Sequence, residues 1–341
     1  MKIREFNGLN VIFDKKFELI CAIHAVYLRE HPELSDDEME WVETPDIPYM
    51  KELEELINSV PHQDIIDIIL SDAYSEESNS INVALCLDDN YDVVDELINK
   101  EYVEKYLGYE TLYKFSQLLK DFANKIGWDE FFENHNEFYL NLVSDFCAFP
   151  ENLNLNDIEN FYNQEKKEYY YIPSILMNGG FGSQDGFGRY YYTRGFQYDN
   201  KEQKFRYDLS YLCECLFHEF SHPNINPLVD KYLKEFSNID AILDDAVKRG
   251  LPKPYRNKAT LLKEYFVRVN AKLLNLKYYD DVDFGWIKNN GFIYLDVLMK
   301  FVKEHKNRYE TYEEFFVAEL IPLMNNILSY QENISHEVKG K

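Results

Sequence analysis

Positive charge is scarce in this chain: 36 Lys and Arg stand against 61 Asp and Glu, a formal net charge of −25. That balance repels phosphate, which argues against nucleic acid and anionic membrane as partners and otherwise reads as a solubility feature. Cysteine is sparse, odd in number and scattered, at Cys21, Cys86, Cys147, Cys213 and Cys215. With no CxxC pair, neither a disulfide framework nor a zinc ribbon is encoded, and reduced thiols in a reducing compartment fit best. The chain has no run of about 18 apolar residues to span a bilayer. Its opening, MKIREFNGLNVIFDKKFEL, lacks the apolar core of a signal peptide. The expectation is a cytoplasmic protein with no membrane partner. A phosphate-binding GxxxxGK[ST] is also missing, so the glycine-rich NGGFGSQDGFG does not read as a nucleotide loop.

What is present is a core-forming chain. Apolar residues make up 45% of 341, enough for one large domain or two. Helical periodicity marks residues 14 to 30, YMKELEELINSV, DIIDIILSDAY, DVVDELINKEYVEKYLG, YETLYKFSQLLKDFANKIG and WDEFFENHNEFYLNLVSDFCAF. An acidic, proline-bearing connector, HPELSDDEMEWVETPDIP, follows the first helix. The apolar run in SEESNSINVALCLDDN fits either a strand or a buried segment. The grammar changes at KKEYYYIPSILMNGGFG and GRYYYTRGFQYD, Tyr-rich runs flanking a glycine-rich turn, which predict a β-hairpin over about 166 to 199. Helical spacing returns at Leu209 and holds to about Tyr330, with a polar tail beyond. The fold class expected is α+β and mostly helical, with a helical region over 1–150 and a catalytic region over 151–335 in one continuous domain.

The chemistry concentrates in CLFHEFSHPNINP, residues 215 to 227. At about 100° per residue from Leu212, Leu216, Phe220, Cys213 and Phe217 form one stripe between about 40° and 140°. His218 and His222 fall near 240° and 280°, with Glu219 at about 340°. The helix therefore buries one face and offers both imidazoles together from the other, the arrangement that suits one tetrahedral metal. In HExxH chemistry the imidazoles bind Zn²⁺ and the adjacent Glu219 takes a proton from the metal-bound water. Pro223 disfavours helix at His222, so the helix is expected to end there.

A catalytic zinc site needs a third protein ligand and an open position. Six residues after His222 stands Leu228, which excludes the metzincin arrangement. In NKATLLKEYFVRVNAKLLNL, Glu264 and Arg268 lie near 300° and 340° from Leu261, off the apolar stripe of that helix. Glu264, 42 positions after His222, is the candidate third ligand, because a carboxylate on a largely buried helix needs a partner. An ordinary Glu264–Arg268 helix pair is the plainer alternative.

HExxH followed some tens of residues later by a helical glutamate resembles the gluzincin zinc metallopeptidases. The wider stretch, with FHEFSHPNINP, KEYFVRVNA, FFENHNEFYLNL and SILMNGGFG, looks like an uncharacterised bacterial family of this metallopeptidase type. The resemblance implies a zincin-like fold with its small β-region beside the histidine helix, Zn²⁺ on His218, His222 and Glu264, Glu219 as general base, and a peptide or protein substrate. It further implies a substrate edge strand, for which SILMNGG (Asn178, Gly179 and Gly180) is the candidate, and an oxyanion-stabilising residue, for which His305, Tyr309 and Tyr312 are available. One position departs from the pattern. Thermolysin-like members carry an aspartate four residues after the glutamate to orient a ligand histidine, and here that residue is Arg268, which either fixes Glu264 or binds a substrate carboxylate. A non-catalytic metal-binding protein and a metal-dependent hydrolase of a non-peptide bond are the competing readings.

Overall fold

The computed structural model describes residues 2–31, 47–71, 74, 79–146, 149–177, 180–195, 197–199, 201–202, 204–206, 208–280 and 285–328. Most of the acidic connector, the polar tail, and Asn178 and Gly179 of the expected substrate edge lie outside them. In chain order the elements are β1 (Lys2–Phe6), β2 (Leu9–Ile12), α1 (Lys15–Glu30), α2 (Pro48–Ile57), α3 (Gln63–Ile69), α4 (Asn79–Leu85) and α5 (Lys100–Tyr102). There follow α6 (Tyr109–Ile126), α7 (Trp128–Asn134), α8 (Asn136–Phe146), α9 (Asp157–Tyr162), β3 (Tyr169–Ser174), β4 (Gly180–Gln184), β5 (Tyr190–Gly195), β6 (Gln197–Asp199) and β7 (Lys204–Arg206). The chain closes with α10 (Leu209–Tyr232), α11 (Ile239–Lys248), α12 (Lys258–Asn275), α13 (Gly285–Asn289), α14 (Leu295–His305) and α15 (Tyr312–Phe315). This is a mostly helical α+β protein with a small mixed sheet. Among the described residues no helix is long and apolar enough to cross a membrane. The chain divides into two compact units, residues 1–154 with 167–209, and residues 155–166 with 210–341.

The first unit holds the sheet, in the order β1-β2-β3-β5-β4. β1 and β2 form an antiparallel hairpin turned at Asn7-Gly8, where Gly8 takes φ 89°. The Tyr-rich composition does not predict these two strands, although Asn-Gly between β-prone runs is itself a hairpin signal. β2, β3 and β5 run parallel, and β4 pairs antiparallel with β5 at the sheet edge. The single hairpin expected over 166–199 is thereby corrected. The two Tyr-rich runs are parallel neighbours, and the hairpin is β4–β5. Their triplets align one to one, Tyr169, Tyr170 and Tyr171 opposite Tyr190, Tyr191 and Tyr192. The rings stack pairwise with centroids 6.0, 4.8 and 5.9 Å apart. Cross-strand contact between these large rings favours the in-register parallel pairing.

The glycine-rich turn between β4 and β5 is held by Asp185. Its carboxylate accepts from the N–H groups of Phe187 and Arg189, from Arg189 Nε and from the Tyr191 hydroxyl. Gly186 donates to the Leu97 carbonyl and passes so close to the 96–98 backbone that a Cβ there would collide with it. Helix α1 starts at Asp14, whose side chain accepts from the N–H of Lys16 and Phe17, an N-cap. It buries Phe17, Leu19, Ile20, Ile23 and Val26 and meets the sheet where Ser174 Oγ donates to Glu18.

The second unit is helical. Helix α12, capped by Asn257, is buried on nearly every side, including Leu261, Tyr265, Phe266, Val269 and Leu274. The sequence predicts that α10 stops at His222, but the helix runs on through Pro223 and Pro227 to Tyr232. Each proline removes one bond from the helical ladder. Downstream, Ile225 and Val229 are both fully buried, and that packing outweighs the local preference. Three contacts fix α10 and α12 antiparallel: Asn275 on Ser210, Lys272 on Glu214 at 2.8 Å, and Lys263 on Asp230 at 2.7 Å. Asn270 ties in α9 and α15 by donating to the hydroxyls of Tyr162 and Tyr312 at 3.0 and 2.7 Å.

Candidate metal centre

The antiparallel pairing of α10 and α12 brings three side chains to one point. His218 and His222, one turn apart on α10, stand with ring planes at 82° and centroids 4.8 Å apart. Their Nε2 atoms face each other at 3.2 Å. Glu264 on α12 places Oε2 3.7 Å from His218 Nε2 and Oε1 3.6 Å from His222 Nε2. One donor atom from each residue lies within 4.8 Å of the others. Two nitrogens on a tetrahedral zinc, each bonded at about 2.05 Å, are about 3.3 Å apart, close to the spacing of the two imidazoles. Among the described residues no other group of three or more His, Cys, Asp or Glu converges in this way.

The donor atoms themselves fit a divalent cation. Burial, followed by the nearby His222 and Arg268, holds the His218 pKa well below the usual imidazole range, so this ring is neutral and keeps a lone pair. His222 Nδ1 lies 3.2 Å from Asn226 Oδ1. With a carbonyl oxygen as acceptor, Nδ1 carries the proton and Nε2 presents its lone pair toward Glu264. Glu264 is buried, with Oε1 turned to His222 and Oε2 toward His218. Two imidazole nitrogens facing each other beside a buried carboxylate form an arrangement that a cation stabilises. The three side chains are 17%, 22% and 10% exposed, so the cluster is enclosed but still reachable.

Glu219 stands apart from the three. Its Oε1 is 4.0 Å from His218 Nε2 and its side chain is 21% exposed, beside the cluster and open to water. Arg268 turns toward the cluster, with Nη2 2.7 Å from Glu264 Oε2. Asn226, which orients His222, is absent from the sequence expectation. The signal for it is the i,i+4 spacing from His222, and that spacing means nothing if the helix ends at Pro223.

Gly180 opens the edge strand β4 of the first unit. Ser174, Leu176 and Met177 of the expected substrate edge do not lie on that strand: Ser174 closes the interior strand β3, and the other two follow it. Tyr309 donates to Glu319 at 2.7 Å, and His305 Nδ1 is 3.4 Å from the same oxygen. Among the described residues neither makes a hydrogen bond, ion pair or ring contact with His218, His222 or Glu264. Tyr312 is buried in the Asn270 cluster.

A family model described as a domain of unknown function (DUF4932) matches residues 49–323, a span that contains the whole cluster. No curated protein and no solved structure matches the chain. With that match covering most of its length, the chain belongs to the DUF4932 family.

Proposed function

We propose that this protein is a zinc-dependent metallopeptidase of zincin-like, gluzincin-type architecture, acting on a peptide or protein substrate in the cytoplasm. The observation that carries the reading is the convergence of His218, His222 and Glu264, with the carboxylate of Glu219 beside them and outside the ligand set. The imidazoles of His218 and His222 and one oxygen of Glu264 would hold the metal, three protein ligands with a fourth position left open. Bound Zn²⁺ supplies a polarised scissile carbonyl and a water of lowered pKa. Glu219 takes the proton of the attacking water on its carboxylate and returns it to the leaving amine nitrogen. Asn226 keeps the proton of His222 on Nδ1 and thereby aims Nε2.

The test is elemental analysis of protein purified without chelator, followed by cleavage assays on mixed peptide libraries beside ester and sugar-amide panels. About one zinc per chain and amide cleavage that a chelator abolishes are the expected results. Absence of zinc, with no uptake on titration, overturns the reading. A zinc-loaded protein inert on peptides but active on another panel overturns only the peptidase part.

A further inference from the structure

We infer that Arg268 is a positioning residue that restricts Glu264 to one-oxygen ligation and keeps the open metal position free. The inference rests on the metal reading of the cluster. Arg268 sits one turn after Glu264 on α12, with Nη2 2.7 Å from Oε2. Oε1 is left facing His222 Nε2 at 3.6 Å. The pair differs from an ordinary surface pair of the same spacing. Arg249 and Asp245 in the same unit are 51% and 28% exposed, whereas Arg268 and Glu264 are 16% and 10% exposed.

Packing fixes where the guanidinium can be. It lies over the rings of Phe292 and Tyr255, 4.9 and 5.5 Å from their centroids, and Nη2 also reaches the Tyr255 hydroxyl at 3.4 Å. Cation–π contact on two rings holds a planar side chain in one place. A long flexible arm reaching for a substrate carboxylate would not be seated this way. Two consequences follow for the chemistry. A carboxylate that gave a metal both oxygens would fill the coordination sphere that a water and a substrate carbonyl must share. With Oε2 held by Arg268, that second bond is disfavoured. The guanidinium charge also offsets the carboxylate charge. Two neutral imidazoles and one compensated carboxylate then leave a metal with more of its electron-withdrawing power than an uncompensated set would.

The test uses the full chain and Co²⁺, whose visible absorption is strong in four-coordinate sites and several-fold weaker when the coordination number rises. Wild type loaded with Co²⁺ is expected to give the strong bands. Arg268→Met should bind Co²⁺ as tightly or more tightly, because a competitor for Oε2 and a like charge are gone, but with visible bands several-fold weaker. Arg268→Lys, which keeps a charge and a donor, should retain the wild-type spectrum. If Arg268→Met does not fold, Arg268→Gln is read in its place. An Arg268→Met spectrum identical to wild type overturns the inference and leaves the metal reading standing, with the pair reduced to helix stabilisation. A folded Arg268→Met that no longer takes up Co²⁺ overturns it as well. Failure of the wild type to bind either Co²⁺ or Zn²⁺ overturns the metal reading itself and this inference with it.

Discussion

Glu18 of the first unit and Glu264 of the second are both buried helical glutamates, and the fold treats them in opposite ways. Glu18 has one hydrogen bond, from Ser174 Oγ to Oε2 at 2.9 Å, while Oε1 is buried without a partner. Among the described residues no cation pairs with it. Burial pushes its pKa up to about 8 despite the Ser174 bond, so it is mostly protonated at neutral pH. Glu264 has two imidazoles and a guanidinium around it. A buried carboxyl group sheds its charge or is surrounded by groups that stabilise it. The first outcome belongs to a core and the second to a site, and this contrast separates the two glutamates where sequence position does not.

The sharpest test of that contrast is a glutamate that stands beside the cluster without belonging to it. On the proposed assignment, Glu219→Gln removes the base and leaves the ligands. Turnover should fall by about 10²- to 10⁴-fold with metal content unchanged. Loss of metal in this variant would make Glu219 a ligand and undo the assignment.

The same substitution at the two buried glutamates should then give opposite signs. The folded protein keeps the Glu18 proton up to about pH 8, and the unfolded chain releases it near 4.5, the ordinary value for a glutamate. The folded state therefore binds more protons across that window. The contribution of Glu18 to stability is complete below the lower value and is lost as pH rises toward the upper one. The loss across the window is on the order of 5 kcal/mol. Glu18→Gln abolishes it, so urea unfolding at pH 8 should show a variant more stable than wild type, with the two converging near pH 4.5. Equal stabilities at pH 8 would mean that Glu18 is solvated or paired in solution.

Glu264→Gln should destabilise the metal-free protein by about 3 kcal/mol, because Arg268 loses its buried partner. The variant should also bind Zn²⁺ more weakly, which calorimetric titration would measure. Unchanged stability and unchanged affinity together would remove Glu264 from the cluster. The smallest effect is expected one step further out. Asn226→Ala should lower metal affinity by about 10- to 100-fold, as loss of an orienting partner to a ligand histidine does. An unaltered affinity would show that the ring of His222 is held by packing alone.

The parts of this arrangement that could be read from the chain share one physical property: they depend on neighbours one or two turns away. The facing of His218 and His222 away from the stripe of Leu212, Leu216 and Phe220 follows from helical spacing, as does the position of Glu264 off the stripe of α12. Helices α1, α6 and α12 are legible for the same reason. The end of α10 was not. Pro223 biases the residue before it, but the bias is small against the burial of Ile225 and Val229. Everything that the continued helix positions, including Asn226, was hidden with it. The sheet was only partly legible. The Tyr triplets announce strands, but nothing in a strand states whether its neighbour runs parallel, and the β1–β2 hairpin carries too little aromatic character to stand out.

By itself, then, the sequence determined the mostly helical class, the amphipathic faces of α10 and α12, and which titratable side chains each face carries, because a repeat of 3.6 residues is a local property of the backbone. Tertiary structure alone decided that Glu264 meets two imidazoles, 42 and 46 positions before it, through the antiparallel register set by Lys272 on Glu214 and Lys263 on Asp230. It alone turned Arg268 onto Glu264 by seating the guanidinium against Phe292 and Tyr255, and left Glu18 with a single hydroxyl for company. The physical reason is that a carboxyl group's charge depends on what surrounds it in space, and those groups are brought to it by packing between elements far apart in the chain.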